Sequence, residues 1–196
     1  MSGLLQQALG QDWECLPPAL RLHYRPGTRV ESGYMDIQFP CWAQPVFRLL
    51  GLFGILLDKA GTGVYTVVKR ECVDDREHWQ RIIHYPDGIQ RSFCTHWELT
   101  PDKEIIEFVN PFLGLTLSPQ LESGSLVYRS TGYVLRLGNV QWSIPGWLSL
   151  GEARIEERAI DERYFEMDFH LHHPMFGEIF RYAGRFDSVP EQQPEI

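Results

Sequence analysis

Two arginines, Arg81 and Arg91, are the residues of this chain whose type and placement first suggest chemistry. Each lies in a stretch where apolar and polar residues alternate, the pattern of a half-buried β-strand. Because alternate residues of a strand share a face, Arg81 lies on the face of Trp79 and Arg91 on that of Phe93. A guanidinium in such a place can donate hydrogen bonds to a ligand carboxylate or phosphate.

The turn between these two strands predicts their register. It reads Tyr85-Pro86-Asp87-Gly88-Ile89. Pro86 cannot take the positive φ that a primed two-residue turn requires, whereas Gly88 suits the left-handed position of a three-residue loop. The cross-strand pairs that follow are Tyr85 with Ile89, Ile83 with Arg91, Arg81 with Phe93, Trp79 with Thr95, and His78 with His96.

One face of this hairpin holds nearly all of its apolar area and is predicted to face inward. Its members are Trp79, Arg81, Ile83, Tyr85, Ile89, Arg91, Phe93, Thr95, Trp97 and Leu99. An isolated guanidinium is costly in a dry core, so both arginines need partners. The sequence leaves two kinds of partner open: internal carboxylates or rim water, and an anionic ligand.

Two further groups have side chains of metal-ligand type. Glu166, Asp168, His170 and His172 alternate along one predicted strand, and His78, Cys94, His96 and Glu98 lie on the polar face of the hairpin. The alternation is equally typical of a solvated outer face, which we favour. Ligand spacing without a closed coordination shell is weak support, so we predict no metal and no cofactor.

Motifs that define common catalytic sites are missing from the sequence. The chain has no nucleophile elbow, P-loop, dinucleotide fingerprint or HExxH. Glu157, Asp161 and Glu166 are available for acid–base work, but nothing in the sequence singles them out. We therefore predict no catalytic residues.

The elements that must position these residues form one long antiparallel meander over 62–187. Ten strands are predicted, at 63–72, 79–85, 89–99, 104–109, 114–117, 126–129, 133–140, 153–160, 163–172 and 178–186. A second three-residue turn is expected at 130–132. A meander of this length must curl to hide one face. We predict an α+β, mainly β fold: a curved antiparallel sheet or incomplete β-barrel around a core or ligand cavity.

The rest of the chain supplies short elements around this sheet. We predict short helices in 1–25, a first strand at 28–39 with a bulge or kink at Ser32-Gly33, and an apolar helix at 45–59 packed against the sheet or in its mouth. An apolar loop at 142–148 gates a cavity, touches a partner or a membrane, or folds back to cover a barrel end, and we favour the cover because Trp is usually buried. Residues 1–187 form one domain, and the Pro/Glu/Gln-rich tail 188–196 is frayed.

Composition narrows the class of protein. The chain has 196 residues and a formal net charge of −8, which disfavours binding to nucleic acid. Neither a secretory signal nor a transmembrane segment is recognised, so we predict a cytoplasmic protein. Four widely spaced cysteines, Cys15, Cys41, Cys72 and Cys94, fit reduced thiols.

Several short motifs resemble an uncharacterised bacterial family, domain of unknown function 4166. They are the segment 5–20 (LQQALGQDWECLPPAL), Arg48-Leu49-Leu50-Gly51-Leu52, Trp79-x-Arg81, Pro174-Met175-Phe176-Gly177 and Tyr182-Ala183-Gly184. The resemblance covers essentially the whole chain. It implies a domain that occurs alone or fused to oxidoreductase-like and membrane proteins, and it implies no catalytic residues. His172-His173 before Pro174 departs from the family's pattern, which weakens a metal role for both.

These observations predict noncatalytic binding of an apolar or amphipathic acidic small molecule in a barrel-like cavity. The predicted site residues are Arg81, Arg91, Trp79, Phe93, Trp97 and Phe53. Two alternatives stay open. One is a small-molecule enzyme with a helix-plus-sheet cone fold, and the other is an interaction module that docks a protein partner or a membrane surface.

Overall fold

A computed structural model of the chain describes residues 2–52, 54–74, 76–138, 140–145 and 149–189. The predicted site residue Phe53, the 146–148 part of the predicted loop and the 190–196 part of the predicted tail lie outside these residues. Within them are α1 (Leu4–Leu9), α2 (Pro18–His23) and α3 (Gln44–Leu52). The strands are β1 (Arg29–Gln38), β2 (Gly61–Val73), β3 (Arg76–His84), β4 (Gln90–Leu99), β5 (Ile105–Phe108), β6 (Leu113–Glu122), β7 (Ser125–Leu137), β8 (Val140–Ile144), β9 (Glu152–Ala159), β10 (Tyr164–His173) and β11 (Gly177–Asp187).

The strands close into an antiparallel barrel. The described strands follow the order β6-β5-β4-β3-β2-β1-β11-β10-β9-β7-β8, and β6 also pairs with β7. The ring therefore contains ten strands, with β8 attached to the second half of β7. The predicted mainly β, antiparallel fold is confirmed, and the sheet closes completely.

The β3–β4 hairpin forms as predicted. Tyr85 N donates to Ile89 O at 2.9 Å, Gly88 N donates to Tyr85 O at 3.0 Å, and Gly88 has a φ of 81°. Arg81 lies opposite Phe93, and Ile83 lies opposite Arg91. Burial of Trp79, Ile83 and Trp97 confirms which face of the hairpin points inward.

The predicted turn at Ser130-Thr131-Gly132 is wrong, because these residues lie inside the continuous strand β7. The pairing of β7 with β6 shifts there by one residue, between Thr116 and Leu117. A bulge of this kind bends a strand, and here it lies where β7 passes from pairing with β9 to pairing with β8. The Ser130 hydroxyl accepts a hydrogen bond from Ala153 N at 2.7 Å at this point.

The predicted bulge at Ser32-Gly33 is misplaced. Both residues pair in register with β2, and the irregularity lies between Met35 and Ile37. Gly33 is required for a steric reason instead, because a Cβ at this position would lie 2.2 Å from Arg185 O and 2.6 Å from the Phe186 ring. Strand β11 can approach β1 this closely because position 33 has no side chain.

The predicted helix at 45–59 is shorter in the structure and is buried on one side only. Helix α3 ends at Leu52, and Gly54 has a φ of 67° that breaks the helical path. Phe47 is buried, whereas Val46 and Leu49 are 50% and 56% exposed. Among the described residues, no helix is long and apolar enough to cross a membrane.

The two ends of the barrel are covered differently. The N-terminal segment closes one end, here called the lower end, where Leu5, Leu16 and Leu20 are fully buried. Leu4 N donates to the Glu77 carboxylate at 2.9 Å and ties this segment to β3. The opposite, upper end carries α3 and the β3–β4 turn, and Lys59 in the segment after α3 forms an ion pair with Asp87 in that turn.

We predict that Gly33→Ala lowers the free energy of unfolding by about 1–3 kcal/mol, because β11 must move to admit the methyl group. Thermal unfolding measures the change, at roughly 2–4 °C of melting temperature per kcal/mol. Gly3→Ala is the matched control, since its Cβ would meet atoms no closer than 3.4 Å. Equal melting temperatures for the two variants would contradict the close approach of β1 and β11.

Candidate functional site

Polar and charged side chains occupy the lower half of the barrel interior. Arg81 projects inward from β3, Thr95 from β4 and Glu107 from β5, so that three neighbouring strands contribute one cluster. Arg81 Nη1 donates to Thr95 Oγ1 at 3.2 Å, and Thr95 Oγ1 donates to Glu107 Oε1 at 2.8 Å. Arg81 Nη2 lies 3.4 Å from Glu107 Oε1 and forms an ion pair with it.

This ion pair satisfies the charge of Arg81 within the protein. Burial by itself lowers the pKa of Arg81, but the Glu107 carboxylate, Tyr182 and Tyr24 together outweigh it, and the pKa ends above its usual value. The guanidinium also lies over Trp79 and Phe93, with distances of 5.7 Å and 5.8 Å to the ring centroids. The cluster is thus a charged pair embedded among aromatic rings.

A second buried carboxyl, Glu157, projects inward from β9 and is only 3% exposed. The Tyr24 hydroxyl donates to its two oxygens, at 2.8 Å and 2.9 Å. Burial raises the pKa of Glu157. His23, the Tyr24 hydrogen bond and Arg81 oppose the effect without cancelling it, and Glu31 adds to it. Folding therefore shifts the protonation equilibrium of Glu157 toward its protonated form.

Two small cavities lie along the barrel axis. The deep cavity has a volume of about 30 Å³ and is lined by His23, Tyr24, Val68, Trp79, Arg81, Trp97, Glu107, Tyr128, Ile155, Glu157, Phe165, Met167, Tyr182 and Phe186. The upper cavity has a volume of about 60 Å³ and is lined by Ile55, Leu56, Phe93, Glu107, Val109, Leu113, Gly114, Leu115, Tyr133, Leu150, Phe169, Leu171 and Tyr182. Glu107 and Tyr182 line both, so the two cavities adjoin.

The upper cavity is almost entirely apolar. Its polar members are Glu107, whose carboxylate is bound to Arg81 and Thr95, and the tyrosines Tyr133 and Tyr182. Burial raises the pKa of both tyrosines, so each keeps its proton at neutral pH. This half of the interior can thus accommodate an apolar group, with Glu107, Tyr133 and Tyr182 as the hydrogen-bonding groups beside it.

The structure separates the predicted site residues. Trp79, Arg81 and Trp97 line the deep cavity, and Phe93 lines the upper one. Arg91 lies at the upper rim, where its side chain is 43% exposed and its Nε donates to Asp58 Oδ1 at 2.9 Å.

Sequence reasoning did not assign the interior carboxylates and tyrosines to the site, and it named Glu157 only as one of three carboxyl groups available for acid–base work. Glu157 is in phase with the buried residues Ala153 and Ile155, and Glu107 is in phase with Ile105. For Glu157 that period-2 phase was the available signal, whereas β5 has apolar residues on both faces and gives no alternation that marks Glu107. Tyr24 follows α2 directly, and no strand pattern predicts that it reaches into the barrel.

The two groups with metal-ligand side chains are engaged in other interactions. Asp168 forms an ion pair with Arg181 at 2.7 Å, and His170 contacts Glu178 at 2.6 Å. His96 stacks on Phe108, with ring centroids 5.0 Å apart. Across the described ranges, no set of three or more His, Cys, Asp or Glu side chains is arranged to hold a metal ion.

The chain belongs to a known family. The family model described as Domain of unknown function (DUF4166) matches residues 16–186, which include ten of the eleven strands completely and all but the last residue of β11. The resemblance predicted from the short motifs is thereby confirmed. No curated protein matches the chain.

We predict that Glu157→Gln makes stability less dependent on pH. Because folding raises the Glu157 pKa, the unfolded chain loses this proton first as pH rises above about 4.3, and the wild type is then progressively destabilised. The variant lacks this titration, so its free energy of unfolding should rise relative to the wild type from pH 4 to pH 8. The gain is about 1.4 kcal/mol per unit of raised pKa.

Chemical denaturation at several pH values measures this difference. Exposed Glu166→Gln, on the outer face of β10, is the control for loss of a carboxyl group. Parallel stability curves for wild type and Glu157→Gln between pH 4 and 8 would show that folding does not raise this pKa.

Proposed function

We propose that the protein binds an apolar or amphipathic small molecule, without catalysis, in the upper half of the barrel. The observation that carries this proposal is the apolar upper cavity beneath the segment that follows α3, in a barrel whose lower end is sealed. Ligand sites are typically concave and apolar, with a few polar groups at one side. Here Glu107, Tyr133 and Tyr182 are those groups.

The cavity volume limits how much of a ligand lies inside. A volume of about 60 Å³ corresponds to roughly two water molecules. A longer molecule would therefore extend out through the upper end. Exposed apolar side chains lie on the segments that line this end: Val46 and Leu49 on α3, and Phe112 beside Leu113. They offer an apolar surface for the part of the molecule that stays outside.

That the ligand has an acidic group, bound by Arg81 and Arg91, stays a prediction from the sequence. Arg81 and Arg91 each have a carboxylate partner, Glu107 and Asp58, and these partners meet the need that an acidic ligand would meet. Arg91, at the rim and partly exposed, is the more accessible of the two. A cytoplasmic location also stays a prediction.

An enzyme is the second candidate function, and one observation favours it. Glu157 is a buried carboxyl with a raised pKa that borders the deep cavity, as a general acid would. The fold is the closed barrel described above, so the helix-plus-sheet cone proposed for this alternative does not apply. Docking to a membrane or protein partner stays a prediction, with Trp42 and Phe176 exposed and 5.5 Å apart at the upper end.

We predict that filling the upper cavity weakens ligand binding. Leu113 lines this cavity and is partly buried, so Leu113→Trp should occupy it and weaken the binding of octan-1-ol at least tenfold, or about 1.4 kcal/mol. Isothermal titration calorimetry measures the affinity.

Leu137→Trp is the matched control, because Leu137 is exposed on β7 and lines neither interior cavity. Thermal unfolding verifies that both variants fold. If Leu113→Trp folds and binds octan-1-ol as tightly as the wild type, the upper cavity is not the binding site.

A further inference from the structure

The deep cavity is a small chamber below the apolar one, and its mainly apolar wall also carries Arg81, Glu107 and Glu157. Building on the proposed function, we infer that it receives the uncharged, hydrogen-bond-accepting end of the bound molecule. The ligands are then neutral amphipathic compounds such as alcohols, aldehydes or ketones. Three observations carry this inference: unpaired donors, the balance of charge and the size of the chamber.

Two buried indole groups in the chamber have unpaired donors. Trp79 and Trp97 are 4% and 3% exposed, their rings lie 5.0 Å apart, and both line the deep cavity. Among the residues that the structure describes, neither Nε1 has a hydrogen-bond partner. A buried donor without an acceptor is unfavourable and is rare in folded proteins. A carbonyl or hydroxyl oxygen that reached the two nitrogens would accept these hydrogen bonds.

The charges around the chamber disfavour an anion. Arg81 is paired with Glu107, and His23 on α2 is paired with Glu31 on β1, so neither side chain is free to bind an anionic ligand. Glu157 on β9 adds a carboxyl group on the opposite wall. A ligand carboxylate in the chamber would therefore lie near the Glu107 carboxylate without a cation of its own, in a region of low dielectric. A neutral oxygen avoids this repulsion.

The size of the chamber sets how much of the ligand it can hold. A volume of about 30 Å³ equals roughly the share of one molecule in liquid water. That volume suits a single polar group and no more. Since Glu107 and Tyr182 border both cavities, a group in the chamber can be continuous with an apolar chain in the upper cavity.

The test compares four probes of equal chain length: octane, octan-1-ol, octan-2-one and octanoate. We expect wild-type protein at pH 7.5 to bind octan-2-one at least tenfold more tightly than octanoate. Trp97→Phe removes one N–H donor and part of the ring volume, and it keeps an aromatic ring at this position. It should weaken the binding of octan-2-one roughly five- to tenfold and leave octane unchanged. Trp79→Phe is a second variant of the same kind.

Trp142→Phe is the control, because Trp142 is exposed on β8 and lines neither interior cavity. The inference would be overturned if octanoate bound as tightly as octan-2-one. It would also be overturned if Trp79→Phe and Trp97→Phe both left the affinity for octan-2-one unchanged, which is the result expected when the chamber holds only water. In either case, the proposed function would still be supported if the wild type bound octane and Leu113→Trp did not. If none of the four probes binds, the proposed function and this inference both fail.

Discussion

The pairing of β6 with β7 closes the ring of strands, and this closure governs the rest of the structure. In a closed ring, one face of every strand points away from water, so any polar side chain on that face must find its partner inside. Arg81, Thr95 and Glu107 meet this requirement across three adjacent strands, and Glu157 meets it through Tyr24. A buried ion pair of this kind adds little net stability. It does make the interior polar at one level of the barrel and apolar at the next.

The two ends of the barrel differ, and this difference makes the polar and apolar levels of the interior a candidate binding site. The N-terminal segment fills the lower end with large apolar side chains and places Tyr24 against Glu157. Helix α3 ends early at the upper end and leaves Val46 and Leu49 partly exposed, beside the segment that borders the upper cavity. An amphipathic molecule can therefore meet apolar groups first and polar groups last as it moves inward. This order agrees with the predicted binding of a small molecule, while the charges of the lower half favour a neutral polar end.

Local features of the fold could be predicted from the sequence, and those set by distant contacts could not. The β3–β4 register followed from Pro86 and Gly88, because a hairpin depends on its own turn residues. Arg81 was correctly placed on the inner face, but its partner Glu107 lies two strands away, and pairing at that distance depends on how the barrel curls. The turn predicted at 130–132 failed because Gly132 marks a bulge as readily as a turn. The helix predicted to reach residue 59 stops at Leu52 because Gly54 adopts a positive φ.

The most direct measurement is a crystal structure of the protein grown with excess 1-bromooctane, with the bromine located by its anomalous scattering. Binding inside the barrel predicts a bromine peak in the upper cavity, in van der Waals contact with side chains such as Leu115, Phe169 and Leu171. The same crystals of Leu113→Trp should lack that peak. Bromine found only on the outer surface of the wild-type barrel, or no peak at saturating probe, would contradict the claim that the interior is a binding site.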